Sequence, residues 1–277
     1  MRCFDIELKS IYSFLGDEGK NPTVNCYLPY NLKEMGRESQ KRPSIVLCPG
    51  GGYSFCSERE SEPIAIALMN LGFNVFILNY SVSPHRYPSQ LREVAALYEE
   101  IYKNCDEWNC DTQKIGIMGF SAGAHLAAHY SNAYKSDAVR ALFANSKKPT
   151  FTVLGYPVIT ADKSFSHIGS FENLLGEYPS GEQVEKFSCD KMVTPDTPPT
   201  FIWHTAEDSA VPVKNSLVYA EALAENNVPF TLHIYPYGPH GLSTCDALTN
   251  RSEALNHKTA IAHGWLDELK KWLKTIV

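Results

Sequence analysis

No stretch of the 277-residue sequence is apolar for long enough to span a bilayer. Its opening, Met1-Arg2-Cys3-Phe4-Asp5-Ile6-Glu7, carries acids where a secretory signal would carry an unbroken apolar core, so a cytoplasmic protein with no membrane contact is expected. Basic clusters are missing too. Lys and Arg number 25 against 31 Asp and Glu, a net charge of -6, and no run of bases could track a phosphate backbone, which argues against a nucleic-acid partner. The eight cysteines (Cys3, Cys26, Cys48, Cys56, Cys105, Cys110, Cys189 and Cys245) form no Cys-x-x-Cys pair, and without a secretory signal they read as reduced thiols rather than a disulfide framework. No His-Glu-x-x-His or similar ligand spacing occurs, so no metal is expected. The one glycine run, Gly50-Gly51-Gly52, lacks both the Gly-x-Gly-x-x-Gly spacing and a following Lys-Ser/Thr, which disfavours a nucleotide cofactor. No cofactor of any kind is called for.

What is present is a regular alternation. Strands are predicted at 4–10, 23–28, 44–48, 74–80, 114–118, 151–156, 200–205 and 230–235, with helical patterns at 64–69, 90–102, 125–130, 216–225 and 264–276. In the second of these helices Leu91, Val94, Ala95, Leu97, Tyr98 and Ile101 fall on one stripe. Two consecutive strands followed by strand-helix alternation specify an α/β fold: a mostly parallel eight-stranded sheet, antiparallel at its N-terminal edge, with helices on both faces. The length suits one domain over 1–277. Residues 160–199 interrupt the rhythm with short motifs and a Pro195/Pro198/Pro199 cluster, and form either a surface excursion or a small cap. Parallel sheets bind ligands at the carboxyl ends of their strands, so the residues just after each strand carry the functional question.

Three strand ends hold reactive residues. Gly119-Phe120-Ser121-Ala122-Gly123 joins a strand to a helix and has the pattern of a nucleophile elbow, with Ser121 at the corner. A serine hydroxyl needs a base, and the base needs a partner that fixes its tautomer. His240 follows the last strand between Pro239 and Gly241, and Asp208 follows the strand at 200–205, with Glu207 as its rival. His204, in a strand, His125 and His129, on the elbow helix, and His233 read instead as packing residues. Backbone donors for an oxyanion are sought in Gly51 and Gly52, after the strand at 44–48, and in Ala122 at the start of the elbow helix. Among the aromatics near strand ends (Tyr53, Phe55, Tyr80, Tyr87, Tyr156, Phe165 and Tyr237), Tyr53 and Tyr80 are the candidates for substrate stacking.

With these residues, the chain resembles an α/β-hydrolase of the esterase/lipase superfamily, and within it the acetylesterase and xylan-esterase-related proteins of the prolyl-oligopeptidase-like group. The resemblance spans nearly the whole chain. It rests on Pro49-Gly-Gly-Gly-Tyr53, Ser57-Glu-Arg-Glu60, Asn79-Tyr-Ser-Val82, Gly119-Phe-Ser-Ala-Gly-Ala-His-Leu-Ala127, Pro198-Pro-Thr-Phe-Ile-Trp-His-Thr-Ala-Glu-Asp208 and Gly238-Pro-His-Gly-Leu242. Pro49 stands where hormone-sensitive-lipase-like esterases carry histidine. The resemblance implies a serine carboxylesterase that removes small acyl groups, often acetyl, from an alcohol or an acylated sugar, with Ser121, His240 and Asp208 as the triad. The same scaffold also serves amidases, formamidases, small peptidases and inactive binding proteins, so these stay as alternatives.

Overall fold

Ile45-Val46-Leu47-Cys48 and Val75-Phe76-Ile77-Leu78 show no polar alternation, and the structure buries both faces of each run. Ile45, Leu47, Val75 and Ile77 pack into one core, Val46, Cys48, Phe76 and Leu78 into another, on opposite sides of a single sheet. Each such side chain removed from water contributes roughly 1.5–3 kcal/mol. The structure is a computed structural model and describes residues 1–15 and 22–277.

Eight strands make the sheet: β1 (Arg2–Glu7), β2 (Thr23–Leu28), β3 (Arg42–Cys48), β4 (Asn74–Asn79), β5 (Cys110–Phe120), β6 (Thr152–Gly155), β7 (Thr200–Thr205) and β8 (Phe230–Tyr235). Their spatial order is β1-β2-β4-β3-β5-β6-β7-β8, with β1/β2 and β2/β4 antiparallel and every later pair parallel. The α-helices are α1 (Leu8–Ile11), α2 (Glu62–Asn70), α3 (Ser89–Lys103), α4 (Ala122–Ala133), α5 (Asp137–Arg140), α6 (Ile168–Leu175), α7 (Glu182–Phe187), α8 (Lys214–Glu225), α9 (Glu253–His263) and α10 (Trp265–Leu273). Helices α3, α4 and α8 cover one face and α2 and α10 the other; the whole predicted stripe of α3 is buried. This is the α/β-hydrolase architecture.

Two sequence expectations change. The first strand stops at Glu7 instead of running to residue 10, because its partner β2 begins at Thr23, opposite Glu7. Leu8 then turns into α1, gives its N–H to the Pro22 carbonyl and buries its side chain. Helix α9 is absent from the sequence pattern: its residues are mostly exposed, with only Thr259 and Ala262 buried, so it has little apolar period to read. The remaining signal is its N-cap, where Ser252 Oγ accepts from the Leu255 N–H at 3.3 Å.

Candidate active site

At the carboxyl edge of the sheet, the end of β5 turns into α4 within one residue. Ser121 takes φ 53° there, a left-handed conformation that aims its side chain out of the sheet. The flanking glycines are required by close approach: a Cβ on Gly119 would strike the Gly123 carbonyl, and one on Gly123 would strike the carbonyls of Cys48 and Pro49. The elbow thus packs directly on the end of β3, where the glycine run begins.

The loops after β7 and β8 deliver two more side chains to the same point. His240 Nε2 lies 2.7 Å from Ser121 Oγ, and its Nδ1 lies 2.6 Å from Asp208 Oδ2. A carboxylate can only accept, so Nδ1 carries the proton and Nε2 is free to accept from the Ser121 hydroxyl. Asp208 is buried. Burial alone would raise its pKa, but hydrogen bonds from His204 and His240, the charge of His240 and the Val211 N–H outweigh it and hold the carboxyl well below its ordinary range. Its other oxygen accepts from the amides of Ala210 and Val211 at 3.0 and 2.9 Å. The rival acid, Glu207, faces away, paired with Lys258 at 2.6 Å and accepting from Gly238 N–H.

The structure also gathers residues the sequence left aside. His204, fully buried in β7, directs Nε2 at Asp208 Oδ2 (3.3 Å) and at the Val211 carbonyl (3.0 Å), while Nδ1 meets Ser216 Oγ at 2.8 Å. Two acceptors face Nε2, so that nitrogen bears the hydrogen and Ser216 donates to Nδ1. His204 therefore fixes the carboxylate that fixes His240; its place four residues before Asp208 is the only trace of this in the sequence. Glu60 is buried between the two loops, accepting from Gly50 N–H at 2.8 Å and from Tyr156 Oη at 2.7 Å. The Tyr156 ring packs edge-on against His240, centroids 5.0 Å apart, and its oxygen accepts from Ser243 N–H.

Gly51 and Gly52 line a cavity of about 270 Å³ together with Ser121, His240, Phe55 and Arg59. Among the described residues, the amides of Gly51, Gly52 and Ala122 donate to no protein acceptor. Part of the 160–199 excursion reaches this cavity: His167, Gly169 and Asn173 line it, and Asn173 Nδ2 donates to the Gly52 carbonyl at 2.8 Å. A larger cavity, about 680 Å³, lies behind the excursion and includes none of Ser121, His240 or the glycine loop.

The two tyrosines assigned to substrate stacking are a correction. Tyr53 and Tyr80 are buried, 1% and 0% exposed, and neither lines the cavity. Tyr53 Oη bonds His125 Nδ1 at 2.9 Å and Tyr80 Oη donates to the Pro49 carbonyl at 2.6 Å. Their rings meet edge to face, 5.8 Å apart, so the pair forms the floor under the glycine loop. A phenol in apolar surroundings needs a partner for its hydroxyl, and the loop backbone and the elbow helix supply it.

Comparison with known proteins gives a consistent family. The BD-FAE family model matches residues 30–223. The chain is 37% identical over 230 residues to endo-1,4-beta-xylanase B of Butyrivibrio fibrisolvens, an alignment covering 79% of this chain and 35% of that protein. It is 32% identical over 232 residues to an acetylxylan esterase of Xylanibacter ruminicola, covering 82% of this chain and 45% of the other. The chain thus matches less than half the length of each of these curated relatives. Among solved structures, an acetyl ester-xyloside bifunctional hydrolase from Caldicellulosiruptor lactoaceticus superposes with a TM-score of 0.83 at 35% identity, over 99% of this chain and 96% of that one.

Proposed function

Since the chain belongs to the BD-FAE family of α/β hydrolases, we propose that it is a serine carboxylesterase that removes small acyl groups, acetyl first, from an alcohol or a sugar. The observation that carries the reading is the unbroken chain from Ser121 Oγ to His240 Nε2 (2.7 Å) and from His240 Nδ1 to Asp208 Oδ2 (2.6 Å), opening on a cavity.

In this reading His240 Nε2 takes the Ser121 proton as Oγ attacks the acyl carbonyl. The imidazolium that forms keeps its Nδ1–H on Asp208, whose negative charge stabilises it. Amides of Gly51, Gly52 and Ala122, which have no protein acceptor among the described residues, receive the developing oxyanion. Collapse of the tetrahedral adduct breaks the ester C–O bond, and His240 returns the proton to the leaving alcohol. Water, deprotonated by the same histidine, then releases the acid and restores Ser121. His204 and Ser216 hold Asp208 throughout, and Glu60 with Tyr156 holds the glycine loop against the His240 loop.

The test is Ser121→Ala. The serine is 6% exposed and its backbone conformation is set by the neighbouring glycines, so the variant folds. Its kcat on 4-nitrophenyl acetate falls by roughly 10⁴-fold or more, and a fluorophosphonate that labels the wild-type protein at Ser121 no longer labels it. Retained turnover in the folded variant would refute the assignment. Matched acetyl ester and acetanilide substrates separate the ester reading from an amidase on the same residues.

A further inference from the structure

The cavity at Ser121 does not end at His240. A second hollow of about 170 Å³ adjoins it, sharing both His240 and Arg59 and extending to Thr249, Asn250 and Arg251. Which part of an ester would enter it follows from proton transfer. His240 Nε2 must reach the leaving oxygen to protonate it, so the alcohol portion lies on the histidine side while the acyl portion lies toward the glycine loop.

The charge of this hollow is one-sided. Among the described residues its lining has two arginines and no carboxylate, in a chain whose net charge is -6. Arg59 is half-buried, yet among the described residues none of its five N–H donors meets a protein acceptor and it forms no ion pair. Its guanidinium lies across Gly241: a Cβ there would sit 2.5 Å from Nη2, so the missing side chain is what admits the cation beside His240. The Arg59 backbone is anchored from the same loop, with Ser243 Oγ donating to its carbonyl. Arg251, from the segment before α9, is exposed and likewise has no ion-pair partner among the described residues. A half-buried planar fork without an acceptor, joined by a second free guanidinium across a small hollow, matches an anion with two or more oxygens.

We propose that the alcohol part of the substrate carries an anionic group, a carboxylate or a phosphate, which Arg59 and Arg251 hold in this second hollow. The enzyme then selects acyl esters of acidic sugars or similar acidic alcohols over neutral ones. This inference rests on the esterase reading of Ser121.

The experiment compares kcat/KM for three esters: acetylated methyl glucuronoside, acetylated methyl glucoside and acetylated methyl glucoside 6-phosphate. The readout is the ratio of each acidic ester to the neutral one, which cancels any general loss of active enzyme. A charged hydrogen-bonded contact corresponds to a ratio of roughly tenfold or more in the wild-type protein. Whichever acidic ester gives the larger ratio identifies the anion. Arg251→Gln, a surface change, lowers the ratio several-fold, and Arg59→Gln brings it close to one. A wild-type ratio near one for both acidic esters, or a ratio unmoved by Arg251→Gln and by Arg59→Gln, overturns the proposal. Failure of the esterase reading itself looks different, because then neither these esters nor 4-nitrophenyl acetate is cleaved.

Discussion

His125 shows how much depends on one neutral side chain. It is fully buried, and burial pushes its pKa from the ordinary 6.5 down to about 4, against the opposing effect of its hydrogen bond to Phe187. Its Nε2–H goes to the Phe187 carbonyl at 2.9 Å, so Nδ1 accepts from Tyr53 Oη, and the ring pins both the glycine-loop floor and the excursion to α4. His129, one turn on, is lowered in the same direction by burial and by the neighbouring charges of His125 and Lys186. Between about pH 6.5 and 4 the unfolded chain therefore binds protons that the native protein refuses, and stability falls as the pH falls. His125 alone accounts for a loss on the order of 3 kcal/mol across that window. Asp208 adds to it at lower pH: its depressed carboxyl contributes stability that is complete above the ordinary 3.8 and is lost as pH falls through the native value. Urea unfolding followed from pH 7 to pH 4 shows a steep decline in the wild-type protein and a shallower one in His125→Gln. Equal slopes for the two would contradict the buried neutral imidazole. That His125 is a packing residue is legible in the sequence, but its partners and the burial of Tyr53 and Tyr80 are not, because a tyrosine after a strand end turns inward or outward only according to what packs on it. Ser121, Asp208 and His240 can be grouped from sequence for the opposite reason: each lies within a few residues of a strand or helix boundary, and the parallel sheet brings all those boundaries to one edge.

At the level of elements, the start of the excursion after β6 is anchored by one side-chain amide in α8. Asn215 is buried and uses every hydrogen-bonding site it has: Oδ1 accepts from the amides of Ile159 and Thr160 at 3.0 and 3.2 Å, and Nδ2 donates to the carbonyls of Phe165 and Pro212, both at 3.0 Å. The contact roots the segment whose far end carries His167, Gly169 and Asn173 to the cavity. Asn215→Ala leaves two buried amides without acceptors and is expected to cost about 2–4 kcal/mol. Limited proteolysis then cuts within 160–199 before the rest of the chain, and kcat/KM falls as Asn173 loses its fixed approach to Gly52. A loss under about 0.5 kcal/mol would show that the excursion holds its place by other contacts. The same elements mark the limit of sequence reading. The central parallel strands β3 to β7 are legible as continuous apolar runs between turn signals, whereas β2 shows the alternation of a half-buried antiparallel strand and β1 and β8, at the sheet edges, are partly to largely exposed. Helices α6 and α7 were visible only as short motifs, because eight and six residues are too few for a 3.6-residue period to repeat clearly. Whether such a segment lies on the surface or against the cavity is decided by long-range bonds such as Asn173 to Gly52, 121 positions apart.

Across the whole molecule, the distribution of apolar surface bears on the acyl length expected of the proposed substrate. A longer acyl chain gains rate only where an apolar wall receives it, at about 0.8 kcal/mol for each methylene buried. Among the described residues, the lining around Ser121 is glycine, serine, histidine, asparagine, arginine and glutamate, with Phe55 its one large apolar side chain, and that residue is itself 59% exposed. Of the other large apolar side chains left at the surface, Tyr30, Met35, Ile66, Leu217, Leu248 and Ile261 are spread over separate segments, while Ile168, between His167 and Gly169, and Tyr237, three residues before His240, are exposed near the cavity but are not in its lining. No helix among the described residues is long and apolar enough to cross a membrane, and α6, the helix beside the site, is only eight residues long, too short for the broad amphipathic lid that docks a lipase on lipid. Methylenes beyond the first few would therefore stay in water and add only conformational entropy to be lost on binding. In a series of 4-nitrophenyl esters, kcat/KM is expected to be highest for acetyl and propionyl and lower by roughly tenfold or more at octanoyl, with no jump in rate when an emulsified ester passes its solubility limit. A steady rise with chain length, or activation at the oil-water interface, would mean that an apolar acyl channel opens in the working enzyme, and the short-acyl assignment would then fail.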